Sequence, residues 1–119
     1  MHGAVKKSAE AVRTETNHEG FGQLFQDVAP VLSSVDYAFA NLETPVAPDA
    51  DRGSRAFVFN VSERLLPALH DTGVDIVSFA NNHVYDQGVP GLTETVRRLN
   101  ESDLDFVGAG NNCSAAREP

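Results

Sequence analysis

Residues 74 to 80 (VDIVSFA) read as a continuous apolar strand rather than an alternating one. Strands of this kind are buried on both faces, as in parallel sheets covered by helices. The strand then runs directly into Asn81, Asn82 and His83. Asn is a poor strand former and costly to bury without partners, so the strand ends there and polar groups begin.

The sequence on either side supplies the crossovers that a parallel sheet needs. Phe21, Leu24, Phe25, Val28, Val31 and Leu32 follow helical spacing. Pro30 lacks an N–H and should end or kink that helix near Ala29. Residues 36–40 (DYAFA) read as a short strand, 41–51 as loop, and 55–60 (RAFVFN) as a further short strand. Ser62 is the expected cap of a helix striped by Leu65, Leu66 and Leu69 and stopped by Gly73. Pro67 either lies in the first turn of that helix or bends it. Pro90 suits the first turn of the next helix, with Leu92, Val96 and Leu99 on its apolar face. Residues 105–108 (DFVG) give a last strand, and 6–12 are expected to be helical. The result is an α/β chain, a mostly parallel sheet built of βαβ units with right-handed crossovers.

Composition narrows the function classes. Asp and Glu number 17 against 9 Lys and Arg, a net charge of -8. That balance argues against nucleic acid as a partner and against anionic lipid held by a basic patch. One cysteine, Cys113, rules out an internal disulfide and a CxxC-type zinc site. The polar N-terminus has no apolar run of signal-peptide type, and no segment approaches a membrane span.

Ligands in open α/β sheets bind beyond the carboxyl ends of the strands. Here those exits carry Asn41 and Glu43, then Asn81, Asn82 and His83, then Gly108 and Gly110. Carboxylate and carboxamide oxygens with an imidazole suit Mn, Fe, Zn or Mg, and an imidazole beside a metal can move a proton in hydrolysis. Each residue alone has a plainer reading. Asn at a strand end is a turn or cap residue. Glu43 is a solvated loop carboxylate, Asp86 a structural cap, and His70 a surface residue favoured by a helix C-terminus. Gly108-x-Gly110 marks a tight turn more often than a phosphate cradle. Two Asn and a His at one exit shift the balance toward a polar or metal site.

The strings N-L-E-T-P at 41–45, S-F-A-N-N-H-x-x-D-x-G at 78–88, G-L-x-E-T at 91–95 and G-A-G-x-N from Gly108 resemble the bacterial capsule synthesis, or CapA-like poly-gamma-glutamate biosynthesis, family. The resemblance runs from about Phe21 to Pro119, and A-N-N-H-x-x-D-x-G is its most specific element. It implies a branch of the calcineurin-like metallophosphoesterase fold, here a partial α/β sandwich. It implies Glu43 and Asn82 as metal ligands and His83 as catalytic proton donor or transition-state stabiliser. Asn41 and Asn81 would shape the surroundings of those ligands, and Asp86 would orient the His83 loop.

The same resemblance sets further expectations. The family opens on a G-D-x-M strand, whereas this chain begins Met1-His2-Gly3, so residues 1–119 are expected to be the N-terminal portion of one domain roughly twice this length. A divalent metal (Mn, Fe, Zn or Mg) is expected only with the full-length site. The expected partners are an anionic polymer or small-molecule substrate and membrane synthase subunits. The expected location is membrane-associated and extracytoplasmic, though no anchor lies in this chain. The function implied is a metal-dependent hydrolase-like domain; the alternative is a scaffold or polymer-handling subunit.

Overall fold

The structure, a computed structural model, describes residues 20–49, 59–110 and 112–118. The helix expected over 6–12 and most of the strand expected over 55–60 lie outside them. Phe59 and Asn60, which are described, are irregular backbone rather than strand.

Two short helices come first, α1 (Phe21–Phe25) and α2 (Ala29–Leu32). The expected single helix is broken three residues earlier than its Pro30 suggested. Pro30 cannot donate to the carbonyl of Gln26, and its ring would crowd that carbonyl. The chain therefore turns over residues 26–28, with Val28 N–H donating to Phe25 O at 3.0 Å, and Pro30 sits in the first turn of α2.

Strand β1 (Phe39–Asn41) begins later than expected, because Ala38 N–H donates to the Asp75 side chain at 2.7 Å. Asp75 in turn precedes β2 (Ile76–Ser78) instead of belonging to it, and its carbonyl accepts from Asp105 N–H at 3.0 Å. Tyr37 donates its hydroxyl to Asp105 Oδ2 at 3.1 Å, and that carboxylate raises the phenol's pKa. These contacts pin the amino ends of three strands together.

Helix α3 (Leu65–Asp71) starts later than the expected Ser62 cap. Ser62 instead builds a turn ahead of it, its Oγ accepting from Arg64 N–H at 3.4 Å and its carbonyl from Leu65 N–H at 3.1 Å. Pro67 is the third helical residue, inside the first turn, where a missing N–H breaks no intrahelical bond. Gly73, at φ 99°, ends α3. Its N–H donates to His70 O at 2.9 Å, and Val74 N–H donates to Leu69 O at 3.1 Å, the paired bonds of a Schellman motif.

Helix α4 (Gly88–Asn100) then crosses to β3 (Asp105–Val107). The three strands form one parallel sheet in the order β1-β2-β3. Val77 is fully buried at its centre, while Ile76 and Ser78 are only half-buried, so one face of β2 is more open than a two-sided parallel strand implies. The core joins Val77 and Phe79 to Leu65 and Leu66 of α3, Leu99 of α4 and Phe21 of α1. Leu92 and Val96 pack against its margin, which accounts for the spacing read along α4.

Candidate functional site at the carboxyl edge of the sheet

Asn41, Ser78 and Val107 share one register, so the three strands end flush. Beyond that line Leu42 N–H donates to Ser78 O at 2.8 Å, and Phe79 N–H to Val107 O at 2.9 Å. The backbone pairing stops there, and the candidate residues follow immediately.

Asn81 is the junction of this edge. Its Nδ2 donates to Leu42 O at 3.0 Å and to Asn41 Oδ1 at 3.3 Å. Its Oδ1 accepts from His83 N–H at 3.0 Å, closing a turn of the kind Asn favours. One carboxamide therefore ties the exit of β1 to the exit of β2 and fixes the backbone of His83. Glu43 follows Leu42 directly, and Asn82 follows Asn81 directly. Both are exposed, and among the described residues no hydrogen bond engages either side chain.

His83 is half-buried. Its Nδ1 lies 3.1 Å from Asp86 Oδ2, and its ring meets the Phe59 ring edge-on, with centroids 4.3 Å apart. Asp86 is buried, and the same Oδ2 also accepts from Phe59 N–H at 2.9 Å. Asp86 thus does more than cap the loop after it: it is an acceptor shared by the imidazole and a distant backbone amide. A carboxylate on that side favours the imidazole's proton on Nδ1, which leaves Nε2 as the unprotonated nitrogen of the neutral ring.

The loop carrying Glu43 is braced from below. Val46 N–H donates to Thr95 Oγ1 at 2.9 Å, and Ala47 N–H donates to Asn60 Oδ1 at 3.2 Å. Ala47 O accepts from Gln87 Nε2 at 3.0 Å, and Pro45 O accepts from Val61 N–H at 3.1 Å. A cleft of about 330 Å³ opens beside Glu43, between Phe25, Leu65, Leu69 and Val77. A second, of about 290 Å³, lies at the exit of β3 between Tyr85, Leu92, Gly108 and Asn112. Gly108 adopts φ 88°, and a Cβ there would stand 2.5 Å from the Ala80 Cβ, so this glycine lets the two exits approach closely.

The donor chemistry fits a divalent cation in part. Glu43 and Asn82 offer hard oxygens at neighbouring exits, suited to Mg, Mn, Fe or Zn. No group of three or more His, Cys, Asp or Glu gathers among the described residues, so these oxygens would form part of a coordination set rather than all of it.

A sequence profile of the family described as "Bacterial capsule synthesis protein PGA_cap" matches residues 1–119. The chain belongs to this family. Over 105 residues it is 31% identical to the capsule biosynthesis protein CapA of Bacillus anthracis, covering 85% of this chain and 26% of that protein. Over 109 residues it is 29% identical to the PGA biosynthesis protein CapA of Bacillus subtilis (strain 168), covering 90% and 29%. A probable polyglutamine synthesis accessory protein of Mycobacterium tuberculosis is 35% identical over 86 residues, 71% of this chain and 23% of that protein. The chain spans about a quarter of the length of the curated relatives it matches.

Within this PGA_cap chain the strings read from the sequence converge on one edge. N-L-E-T-P supplies the β1 exit, and A-N-N-H-x-x-D-x-G supplies Asn81, His83 and Asp86. G-L-x-E-T supplies Thr95, the buried brace under Val46. Sequence reasoning quoted the strings that contain Thr95, Asn60 and Phe59 but gave none of the three a role at the site. A polar Thr on the apolar stripe of α4 was a usable signal for the first. Phe59 carried none, since an aromatic in an alternating stretch reads as ordinary strand packing. No described helix is long and apolar enough to cross a membrane.

Proposed function

We propose that this PGA_cap chain contributes to a metal-dependent hydrolase-like domain acting in the production of capsule or poly-gamma-glutamate. The observation that carries the reading is the construction of the β2 exit. There a buried carboxylate orients His83 through Nδ1, and Asn81 fixes its backbone. Of two exposed oxygen donors, Asn82 directly precedes His83, and Glu43 directly follows Leu42, whose carbonyl Asn81 holds. A purely structural turn has no need of a histidine held at both backbone and ring.

In this reading Glu43 and Asn82 would hold a divalent cation together with donors from elsewhere in the full-length protein. Such a cation would supply Lewis-acid polarisation of a scissile phosphoryl or carbonyl oxygen. Asn41 and Asn81 keep the two ligand-bearing exits at fixed separation. His83, with Nδ1 committed to Asp86, presents Nε2 to the substrate and delivers or accepts a proton there. The chain's net charge of -8 would repel a polyglutamate, and a cation held by Glu43 and Asn82 would offset part of that charge. A membrane-associated, extracytoplasmic site beside synthase subunits suits such a substrate.

The test uses the full-length gene product. Mn, Zn, Fe and Mg are titrated by calorimetry, and hydrolysis of poly-gamma-glutamate and of chromogenic phosphoesters is followed for wild type, Glu43→Gln and His83→Ala. The expected result is stoichiometric metal uptake, weakened by Glu43→Gln, and hydrolysis lost in His83→Ala. No metal uptake and no effect of His83→Ala overturn the reading in favour of a scaffold or polymer-handling role.

A further inference from the structure

Phe59 lies 24 positions before His83 in the chain and belongs to none of the strings that carry the family resemblance. It nevertheless touches both members of the His83–Asp86 pair. Its backbone N–H donates to Asp86 Oδ2 at 2.9 Å, the same oxygen that lies 3.1 Å from His83 Nδ1. Its ring stands at 88° to the imidazole, with centroids 4.3 Å apart. Backbone amide and ring therefore act on different parts of the pair. The amide fixes the carboxylate's position, and the ring closes one side of the imidazole.

Phe59 is itself anchored from the other candidate loop. The residue after it, Asn60, is buried and accepts from Ala47 N–H at 3.2 Å. Val61 is fully buried, and its N–H donates to Pro45 O at 3.1 Å. Ala47 and Pro45 belong to the loop that carries Glu43. Residues 59–61 thus form a strut between the Glu43 loop and the imidazole.

We propose that Phe59 is a positioning residue for His83: its ring and amide hold the imidazole in the orientation and tautomer that present Nε2 at the carboxyl edge. The proposal rests on the reading of His83 as the proton-handling group, and deepens it. The physical basis is that an imidazole can turn over about its Cβ–Cγ bond, which puts Cδ2 where Nδ1 faces Asp86 and Cε1 where Nε2 stood. The Asp86 carboxylate favours the orientation that faces it with Nδ1, and the edge contact with Phe59 limits how far the imidazole can swing away from that carboxylate. Neither contact alone excludes the flip.

The experiment uses the full-length protein with isotope-labelled histidine, and the His83 ring resonances are assigned by their loss in His83→Gln. The nitrogen shifts give the ratio of Nδ1–H to Nε2–H tautomers of the neutral ring. Phe59→Leu, which keeps the amide but removes the aromatic edge, is expected to lower that ratio by about threefold or more, the size of an aromatic pair interaction. Phe59→Tyr is expected to restore it. Leu99→Ala, a core truncation on α4, serves as the control for general loosening and is expected to leave the ratio unchanged. An unchanged ratio in Phe59→Leu overturns the proposal, as does an equal fall in Leu99→Ala. If Phe59→Leu fails to fold, Phe59→Met takes its place: a lowered ratio supports the proposal and an unchanged one overturns it. The outcome is separable from the reading beneath it. Retained hydrolysis in His83→Ala defeats that reading, whereas the tautomer ratio alone decides whether Phe59 governs the ring.

Discussion

Asn81 donates from Nδ2 to the carbonyl of Leu42 at 3.0 Å, a bond from the exit of one strand to the exit of its neighbour. The same side chain accepts from His83 N–H, so its two ends serve different loops. Asn81→Asp keeps the acceptor but sets a carboxylate oxygen against the Leu42 carbonyl and Asn41 Oδ1. The expected cost is about 1–2 kcal/mol of stability, read by urea denaturation. On the proposed metal-dependent reading, metal affinity of the full-length protein is expected to fall by about tenfold or more, as when a group that supports metal ligands is lost.

Thr95 is fully buried, accepting from Val46 N–H at 2.9 Å and donating to Gly91 O at 2.7 Å. Thr95→Val keeps the shape and strands the Val46 amide without an acceptor. The expected destabilisation is about 1–3 kcal/mol by chemical denaturation, together with faster amide exchange at Val46. Thr95→Ser retains the hydroxyl and should recover most of the loss.

Gly108 occupies φ 88° with the Ala80 backbone nitrogen 2.8 Å from where a Cβ would stand. Gly108→Ala therefore meets both a backbone penalty and a collision with main chain that cannot rotate away. Stability is expected to drop by about 1–3 kcal/mol, and a thermal melt measures it.

Glu94 sits between two arginines on α4, 2.7 Å from Arg97 and 2.7 Å from Arg98. Hydrogen bonds from Arg97 first, and from Arg98, lower its pKa from the ordinary 4.5 to about 2. A lowered folded-state pKa contributes stability above the unfolded value, and that contribution is lost as pH falls from 4.5 toward about 2. Glu94→Gln should be less stable than wild type at pH 6, and the two melting temperatures should converge across that acid window. The groups are partly exposed, so the gap at pH 6 should also shrink in 1 M NaCl, where the screening length is about 3 Å.

The sequence made the sheet legible because the residues that build it are locally determined. Gly73 needed a left-handed backbone, Leu92, Val96 and Leu99 repeated at helical spacing, and the run around Val77 was too apolar for a surface. Boundaries were less legible where side chains displaced backbone partners. Asp75 took the Ala38 amide and shortened two strands, and Ser62 formed a turn before α3 instead of its cap. At the site, Asn81, Asn82 and His83 announced themselves as polar groups after a strand. The roles of Asp86 and Phe59 depended on a contact 27 residues apart in sequence, which no local pattern encodes.

The flush ending of the strands at Asn41, Ser78 and Val107 bears on how such a chain can vary over evolutionary time. Side chains alternate along a strand, so inserting or deleting one residue upstream in β1 or β2 would turn Asn41 or Ser78 to the opposite face. Compensating substitutions elsewhere could not restore both exits at once. Length changes should therefore accumulate in the more exposed part of the connection after α4, residues 101–103, ahead of the buried Leu104. The spacing from strand to asparagine should drift far more slowly than the residues that cover the helices.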